Sequence, residues 1–204
     1  TKHFRATARY IYNVEERGAG IVKDDPSISD WQNQYQQKQT QLPKDAPAGI
    51  QAIYGTYRKT LEEYNTLGAQ VFSPCAMAAL IMIESGNNPY IKNKDSSSTG
   101  LLQFTKGTAE AYGLCSPGCA VDKRLDANES IKAGYTYLGA IHSKIGGMIA
   151  KDDTEKFLIT AFHLGDGCVK TILTKTGKPS NIDWLTFRNY LTVSNLLGPG
   201  CYPN

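Results

Sequence analysis

The chain has 204 residues, of which 41% are hydrophobic and 20% are charged, as in a folded domain with room for an extension. The net charge of +3 is too small to indicate nucleic-acid binding, and no apolar run reaches membrane-spanning length. We therefore expect no nucleic-acid partner and no membrane span in this chain. Because it begins at Thr1 without Met, we expect a processed or shortened form that lacks its targeting segment.

The sequence of residues 1–70 predicts helices and contains no candidate catalytic residue. Residues 1–20 predict one short helix, and Ser29 or Asp30 can cap a second helix that ends near Gln39. Apolar residues from Ile50 to Tyr64 then recur at the spacing of an amphipathic helix, which we expect to pack on the following domain.

The stretch SPCAMAALIMIESG, from Ser73 to Gly86, carries one charged side chain, Glu84. Ser73 can cap a helix, Pro74 suits its first turn and Gly86 suits the position after its end. A helix that is apolar on all sides is buried, so the Glu84 carboxylate loses hydration and meets the negative end of the helix dipole. Both effects raise its pKa, as general acid catalysis of glycosidic cleavage requires.

Glu84 also has a simpler interpretation. It could face water at the helix end, or pair with Lys92 or Lys94 in the polar segment that follows. From this stretch alone both interpretations stay open.

Further helices are predicted after Thr105, over about 128–145, over about 154–164, and from near Asp183. Alternation with a period of two is nearly absent, so a large sheet is not expected. The predicted fold class is therefore mainly α.

The five cysteines favour an oxidising compartment. A Pro-Gly turn separates Cys115 from Cys119, so we expect a disulfide between them. Cys75 lies in the apolar stretch and is the predicted free thiol, whereas Cys168 with Cys201 is a second candidate pair that the sequence alone does not fix. We expect no metal site, because the three histidines are scattered and no paired C-x-x-C occurs.

Four short motifs follow each other in order: ESGNNP at 84–89, GLLQF at 100–104, AFHLG at 161–165 and FRNY at 187–190. Together with the 128–138 segment they resemble the lytic transglycosylases of the soluble-lytic-transglycosylase type, which are relatives of goose-type lysozyme. The resemblance covers roughly Phe72 to Tyr190. It implies a lysozyme-like catalytic domain over 71–204, preceded by an N-terminal helical extension over 1–70.

The resemblance implies cleavage of the β-1,4 bond between N-acetylmuramic acid and N-acetylglucosamine in peptidoglycan, leaving 1,6-anhydro ends. Glu84 would be the general acid and then the base, without a cofactor. His163 stands where the family has an Asn that helps to hold the N-acetyl group, and unlike an amide it can titrate. The residues expected to bind or orient the sugar, some of which could instead pack in the core, are Ser85, Gln103, Phe104, Phe162, His163 and Tyr190.

Three other functions are considered. A hydrolase of the goose-lysozyme kind would need a carboxylate to position water, and Asp95 is the candidate. A cysteine peptidase would use Cys75 at a helix N-terminus with His163 as its base. A peptidoglycan-binding assembly module could keep the fold without the activity.

The resemblance also implies a place of action outside the cytoplasm, such as the periplasm, and a monomer acting on glycan strands. Enzymes of this family often serve secretion, conjugation or phage-entry machines. The helices of residues 1–70 could dock on such a machine or extend the saccharide groove, and both interpretations stay open.

Overall fold

The computed structural model describes residues 46–67, 71–93, 96–177 and 180–192. These ranges contain seven α-helices, and short 3-10 turns flank some of them. The helices are α1 (Ala48–Leu67), α2 (Pro74–Ser85), α3 (Lys106–Ala111), α4 (Ala127–Ile145), α5 (Thr154–Leu164), α6 (Asp166–Lys175) and α7 (Trp184–Thr192). No strand is present in the described ranges, which have only isolated β-bridges, and the mainly α prediction is confirmed.

Helix α2 begins and ends where its sequence predicts. The Ser73 hydroxyl accepts a hydrogen bond from the Ala76 amide at 3.2 Å, and Pro74 occupies the first turn. Gly86 adopts a left-handed conformation, with φ of 58°, and its amide donates to the Met82 carbonyl. Most residues between these caps are buried, so α2 runs through the core as its composition indicates.

Helix α1 packs against α2 and α4. Its apolar stripe is buried at Ile50, Ile53 and Leu61, and the Tyr135 hydroxyl of α4 donates a hydrogen bond to the Leu61 carbonyl at 3.2 Å. The predicted amphipathic helix therefore packs on the following domain, as expected. The predicted domain boundary between residues 70 and 71 stays a prediction.

Helices α2 and α5 run in the same general direction, because one contact joins them near each end. At one end, the Ser73 amide donates to the Glu155 carboxylate at 2.7 Å. At the other end, Glu84 meets His163 at 3.2 Å. Because each contact joins corresponding ends of the two helices, their C-terminal ends meet where Glu84 contacts His163.

Helix α6 was not predicted. Gly165 and Gly167 indicate a turn, yet Asp166–Lys175 is helical and buries Cys168, Val169, Ile172 and Leu173. Those four residues lie on one face of a helix, and α6 packs with it on α4 and α5. Gly165 does form a turn, with φ of 83°, whereas packing of this face outweighs the turn preference of Gly167 inside the helix.

The predicted disulfide between Cys115 and Cys119 is present, with Cα atoms 4.7 Å apart, and Cys75 is a free thiol. Cys168 is a disulfide cysteine, and its predicted partner, Cys201, lies outside the described residues. The two helices predicted before residue 40 also lie outside them. No helix in the described ranges combines the length and hydropathy that crossing a bilayer requires.

Candidate active site

Glu84 occupies the last turn of α2, and its side chain is 13% exposed. The His163 side chain, in the last turn of α5, is 22% exposed, and its Nδ1 lies 3.2 Å from Glu84 Oε1. Both side chains are thus largely withdrawn from water and in direct contact. Their position at two helix C-termini exposes them to partial negative charge from unpaired backbone carbonyls.

Burial raises the pKa of the Glu84 carboxyl to about 8. The pKa rises because the protein interior hydrates the carboxylate less well than water does. Of the two interpretations of the sequence, the structure favours the buried carboxyl over one that faces water. Glu84 therefore holds its proton at neutral pH and can donate it to a bound group.

The segment after α2 is tied to the turn that carries the GLLQF motif. The Ile91 carbonyl accepts hydrogen bonds from the Gly100 amide at 2.9 Å and from Gln103 Nε2 at 3.3 Å. Gln103 Nε2 also donates to the Gly100 carbonyl at 2.8 Å. Both amide hydrogens of Gln103 thus hold this loop, which leaves its side-chain oxygen as the group that could meet a ligand.

The buried side chain of Arg124 holds the same turn by hydrogen bonds. This residue was not predicted from the sequence. Its side chain is 5% exposed and forms a two-point ion pair with Asp122, at 2.8 and 3.0 Å. Its Nη1 donates to the carbonyls of Ser97, at 2.8 Å, and Phe104, at 3.0 Å, so both ends of the turn are held. A buried Arg among polar neighbours has no signature in a single sequence.

An aromatic cluster adjoins the His163 ring. Phe162 contacts Phe104, Tyr137 and His163 with centroid distances of 5.8, 5.4 and 6.2 Å, and Tyr112 contacts Tyr137 at 5.0 Å. Tyr112, Tyr137 and Phe162 are half-buried, so they can form a partly accessible wall. Tyr137 lies in the 128–138 segment but was not predicted as a site residue.

Two of the predicted binding residues face inward. Ser85 is 9% exposed, and its hydroxyl donates to the Ile81 carbonyl one turn back at 3.2 Å. Phe104 is 2% exposed and packs within the core, which was the alternative role for this residue. Neither presents a free surface to a sugar in this conformation.

Two further candidates cannot be placed. Tyr190 belongs to α7, but its side chain lies outside the described residues, and so does Asp95. Glu84, Gln103, Phe162 and His163 are therefore the predicted site residues that the structure leaves partly accessible.

The cysteine peptidase interpretation is wrong. Cys75 and Glu84 lie at opposite ends of α2, which separates them by about 14 Å at the usual helical rise. His163 contacts Glu84, so it cannot also serve Cys75. Burial moreover raises the pKa of the Cys75 thiol to about 11, which is the opposite of activation.

One group of potential metal ligands occurs in the described ranges, formed by Glu110, Cys115 and Cys119. The two cysteines are joined in a disulfide, so they have no thiolate to offer a metal ion. The Glu110 carboxylate accepts a hydrogen bond from the Gly118 amide at 2.8 Å and holds the same turn.

Comparison with known proteins identifies relatives of the part of the chain that carries Glu84 and His163. The family described as "Transglycosylase SLT domain" matches residues 65–185. Membrane-bound lytic murein transglycosylase F of Serratia proteamaculans is 27% identical over 148 residues, covering 72% of this chain and 28% of the relative. The proteins of the same name from Histophilus somni and Mannheimia succiniciproducens are 29% and 34% identical over 159 and 109 residues. Those alignments cover 76% and 52% of this chain, and 28% and 20% of the relatives. The chain therefore spans less than a third of the length of the relatives it matches.

Proposed function

Because this chain belongs to the transglycosylase SLT domain family, we propose that it is a lytic transglycosylase that cleaves peptidoglycan glycan strands. The single observation that carries the proposal is the buried, proton-holding Glu84 at the meeting point of two helix C-termini. The relatives' name, lytic murein transglycosylase, supports murein as the substrate class.

In the first step, Glu84 donates its proton to the oxygen that links muramic acid C1 to glucosamine C4. The C1–O bond breaks, its electron pair stays on the leaving oxygen, and the substrate's N-acetyl group stabilises the positive charge at C1. The negative ends of α2 and α5 also favour positive charge in their vicinity.

In the second step, the muramoyl C6 oxygen bonds to C1 and closes the 1,6-anhydro ring. The proton of that hydroxyl passes to the Glu84 carboxylate, which restores the acid for the next turnover. A single carboxyl group thus serves both steps, unlike the carboxylate pairs of most glycosidases. The raised pKa of Glu84 suits both roles, because its carboxyl is protonated at neutral pH and its carboxylate readily regains the proton.

The remaining site residues position the sugar. Gln103 offers its side-chain oxygen from a turn held on both sides, and Phe162 offers a half-buried ring beside His163. His163 occupies the place of the family's Asn near the N-acetyl group. Ser85 stabilises the end of α2, and thereby the position of Glu84, by its bond to Ile81. Tyr190 is proposed as a further hydrogen-bonding partner of Glu84 or the sugar.

The substrate places the reaction outside the cytoplasm, in the periplasm or a comparable compartment, and a disulfide-bonded chain is compatible with that location. We further propose that residues 1–70 adapt the domain to an envelope-spanning machine or extend its groove.

The test is mass spectrometry of the products from purified peptidoglycan, comparing the unmodified protein with Glu84→Gln. The exposed Glu63→Gln on α1 is the matched control. We expect muropeptides with anhydro ends, one water lighter than hydrolysis products, from the unmodified protein and from the control but not from Glu84→Gln. Reducing ends would instead identify a hydrolase and make Asp95 the next residue to test. Absence of products from the unmodified protein would favour the binding module.

A further inference from the structure

We propose that His163 sets a low-pH limit on this site: the enzyme works with a neutral imidazole beside a protonated Glu84, and protonation of His163 switches it off. The inference rests on the proposed function and adds a mode of regulation to it. The contact of 3.2 Å between His163 Nδ1 and Glu84 Oε1, inside a largely buried site, carries it.

The two groups are too close to titrate independently. A neutral imidazole can accept a hydrogen bond from the protonated Glu84 carboxyl through Nδ1, whereas an imidazolium donates a hydrogen bond to the carboxyl oxygen and adds a positive charge. Both side chains are largely withdrawn from water, so solvent screens this charge weakly. The protonation state of His163 therefore changes the proton affinity of the Glu84 carboxyl group directly.

Cationic His163 would oppose both steps of the reaction. The first step places positive charge on the sugar next to Glu84, and a second cation in the same site repels it. In the second step the Glu84 carboxylate must take up a proton, and an imidazolium hydrogen-bonded to that carboxylate makes it a weaker base. An amide at this position, as in the family, has neither effect because it stays neutral.

Glu84 alone cannot produce a low-pH limit. The pKa of its carboxyl is raised by burial, so lowering the pH from neutral keeps it protonated and ready to donate. A loss of activity on the acid side must therefore come from another group. An imidazole ordinarily titrates at about 6.5, within the range where such a loss would be seen.

The other titratable groups around the pair do not replace His163. Burial raises the pKa of Tyr137, which keeps its hydroxyl neutral, and Asp166 at the start of α6 is paired with Lys144 at 2.8 Å. The aromatic cluster beside His163 thus contributes Tyr112 and Tyr137, and the first turn of α6 contributes Asp166. Burial is the cause of the raised Glu84 pKa, without a contribution from a neighbouring charge.

The experiment compares the pH dependence of kcat/KM on soluble peptidoglycan fragments, between pH 4.5 and 9, for the unmodified protein, His163→Asn and His142→Asn. His142 lies on α4, so His142→Asn is the same substitution on a different helix from those that carry Glu84 and His163. We expect the unmodified protein and His142→Asn to lose activity about tenfold per pH unit on the acid side. His163→Asn should vary less than about threefold there, whatever its absolute rate, because it lacks the titrating group.

Nuclear magnetic resonance gives a second readout that does not depend on turnover. The His163 ring signals, assigned by their loss in His163→Asn, should titrate at the pH of the acid limb, and Glu84→Gln should shift that midpoint. A His163 midpoint unaffected by Glu84→Gln, or an acid limb that survives in His163→Asn, overturns the inference while the proposed function stands. A lack of turnover by the unmodified protein at every pH would overturn the proposed function, and this inference with it.

Discussion

The carbonyl oxygen of Arg124 fills the space that a side chain at position 100 would need. A Cβ atom on Gly100 would overlap this oxygen, and the residue also has a φ of 84°, which L side chains rarely adopt. Arg124 in turn holds both ends of the turn by donating to Ser97 and Phe104. The glycine that opens the GLLQF motif is therefore required by close packing and by backbone conformation.

We expect Gly100→Ala to destabilise the protein by at least about 2 kcal/mol, because both the backbone strain and the overlap with Arg124 have to be relieved. Urea unfolding followed by circular dichroism measures this change. Gly107→Ala is the control, since a Cβ there meets no atom within 4 Å and the residue is helical. It should change stability by less than about 1 kcal/mol. Equal stability of Gly100→Ala and the unmodified protein would contradict the explanation.

The raised pKa of Glu84 predicts where activity ends at high pH. The first step of the proposed mechanism requires the acid form of the carboxyl, so kcat/KM should stay high through neutral pH and fall about tenfold per pH unit above about 8. An exposed Glu, with a pKa near 4.5, would be almost fully ionised at pH 7 and would offer very little acid form. If the activity of His163→Asn already falls as the pH is raised from 5 to 7, Glu84 is not held in its acid form at neutral pH.

Several helix boundaries were predictable because local signals and packing agree. Ser73, Pro74 and Gly86 define α2, and the predicted bounds of α5 match the observed Thr154–Leu164. Helix α6 was missed because Gly165 and Gly167 at its start indicate a turn, while its buried face becomes meaningful only against α4 and α5. Short helices of this kind depend on tertiary packing more than on propensity.

The site was predictable in part. Glu84 stands out as the one charge in an apolar helix, and the structure shows the burial that this pattern indicates. Its contact with His163 was not predictable, because the two residues come from different helices and only the fold brings the C-terminal ends of α2 and α5 together. The inward orientation of Phe104 and the role of Arg124 likewise depend on packing that the sequence does not display.

The disulfide between Cys115 and Cys119 should contribute a modest part of the stability. It closes a very short loop, for which the chain-entropy model gives about 2 kcal/mol. The Gly118 amide, bonded to Glu110, and the Ser116 hydroxyl, bonded to the Val121 amide, hold the same turn without it. We therefore expect the double replacement of Cys115 and Cys119 by Ser to lose about 2 kcal/mol in urea unfolding. Complete loss of the fold would contradict this expectation.

Glu84 should also reduce the stability of the fold as the pH rises. Its pKa is about 8 in the folded protein, against an ordinary value of 4.5, so the folded state binds more protons than the unfolded state between these values. The free energy of unfolding therefore falls as the pH rises through this window. At pH 7 the cost is on the order of 3 kcal/mol, since the unfolded chain is then ionised at this position and the folded protein is not.

Replacing Glu84 by Gln removes this cost, because the amide has nearly the same shape and does not titrate. We expect Glu84→Gln to exceed the unmodified protein in stability by about that amount at pH 7, and to match it closely near pH 4, where both states are protonated. Urea unfolding at the two pH values measures the difference, and Glu63→Gln, exposed on α1, should show almost none. A stability gain of Glu84→Gln that is the same at pH 4 and pH 7 would mean that packing, and not desolvation of the carboxylate, explains it. A gain confined to pH 7, in a variant that makes no anhydro products, would show that the carboxyl needed for turnover is also a cost to the fold.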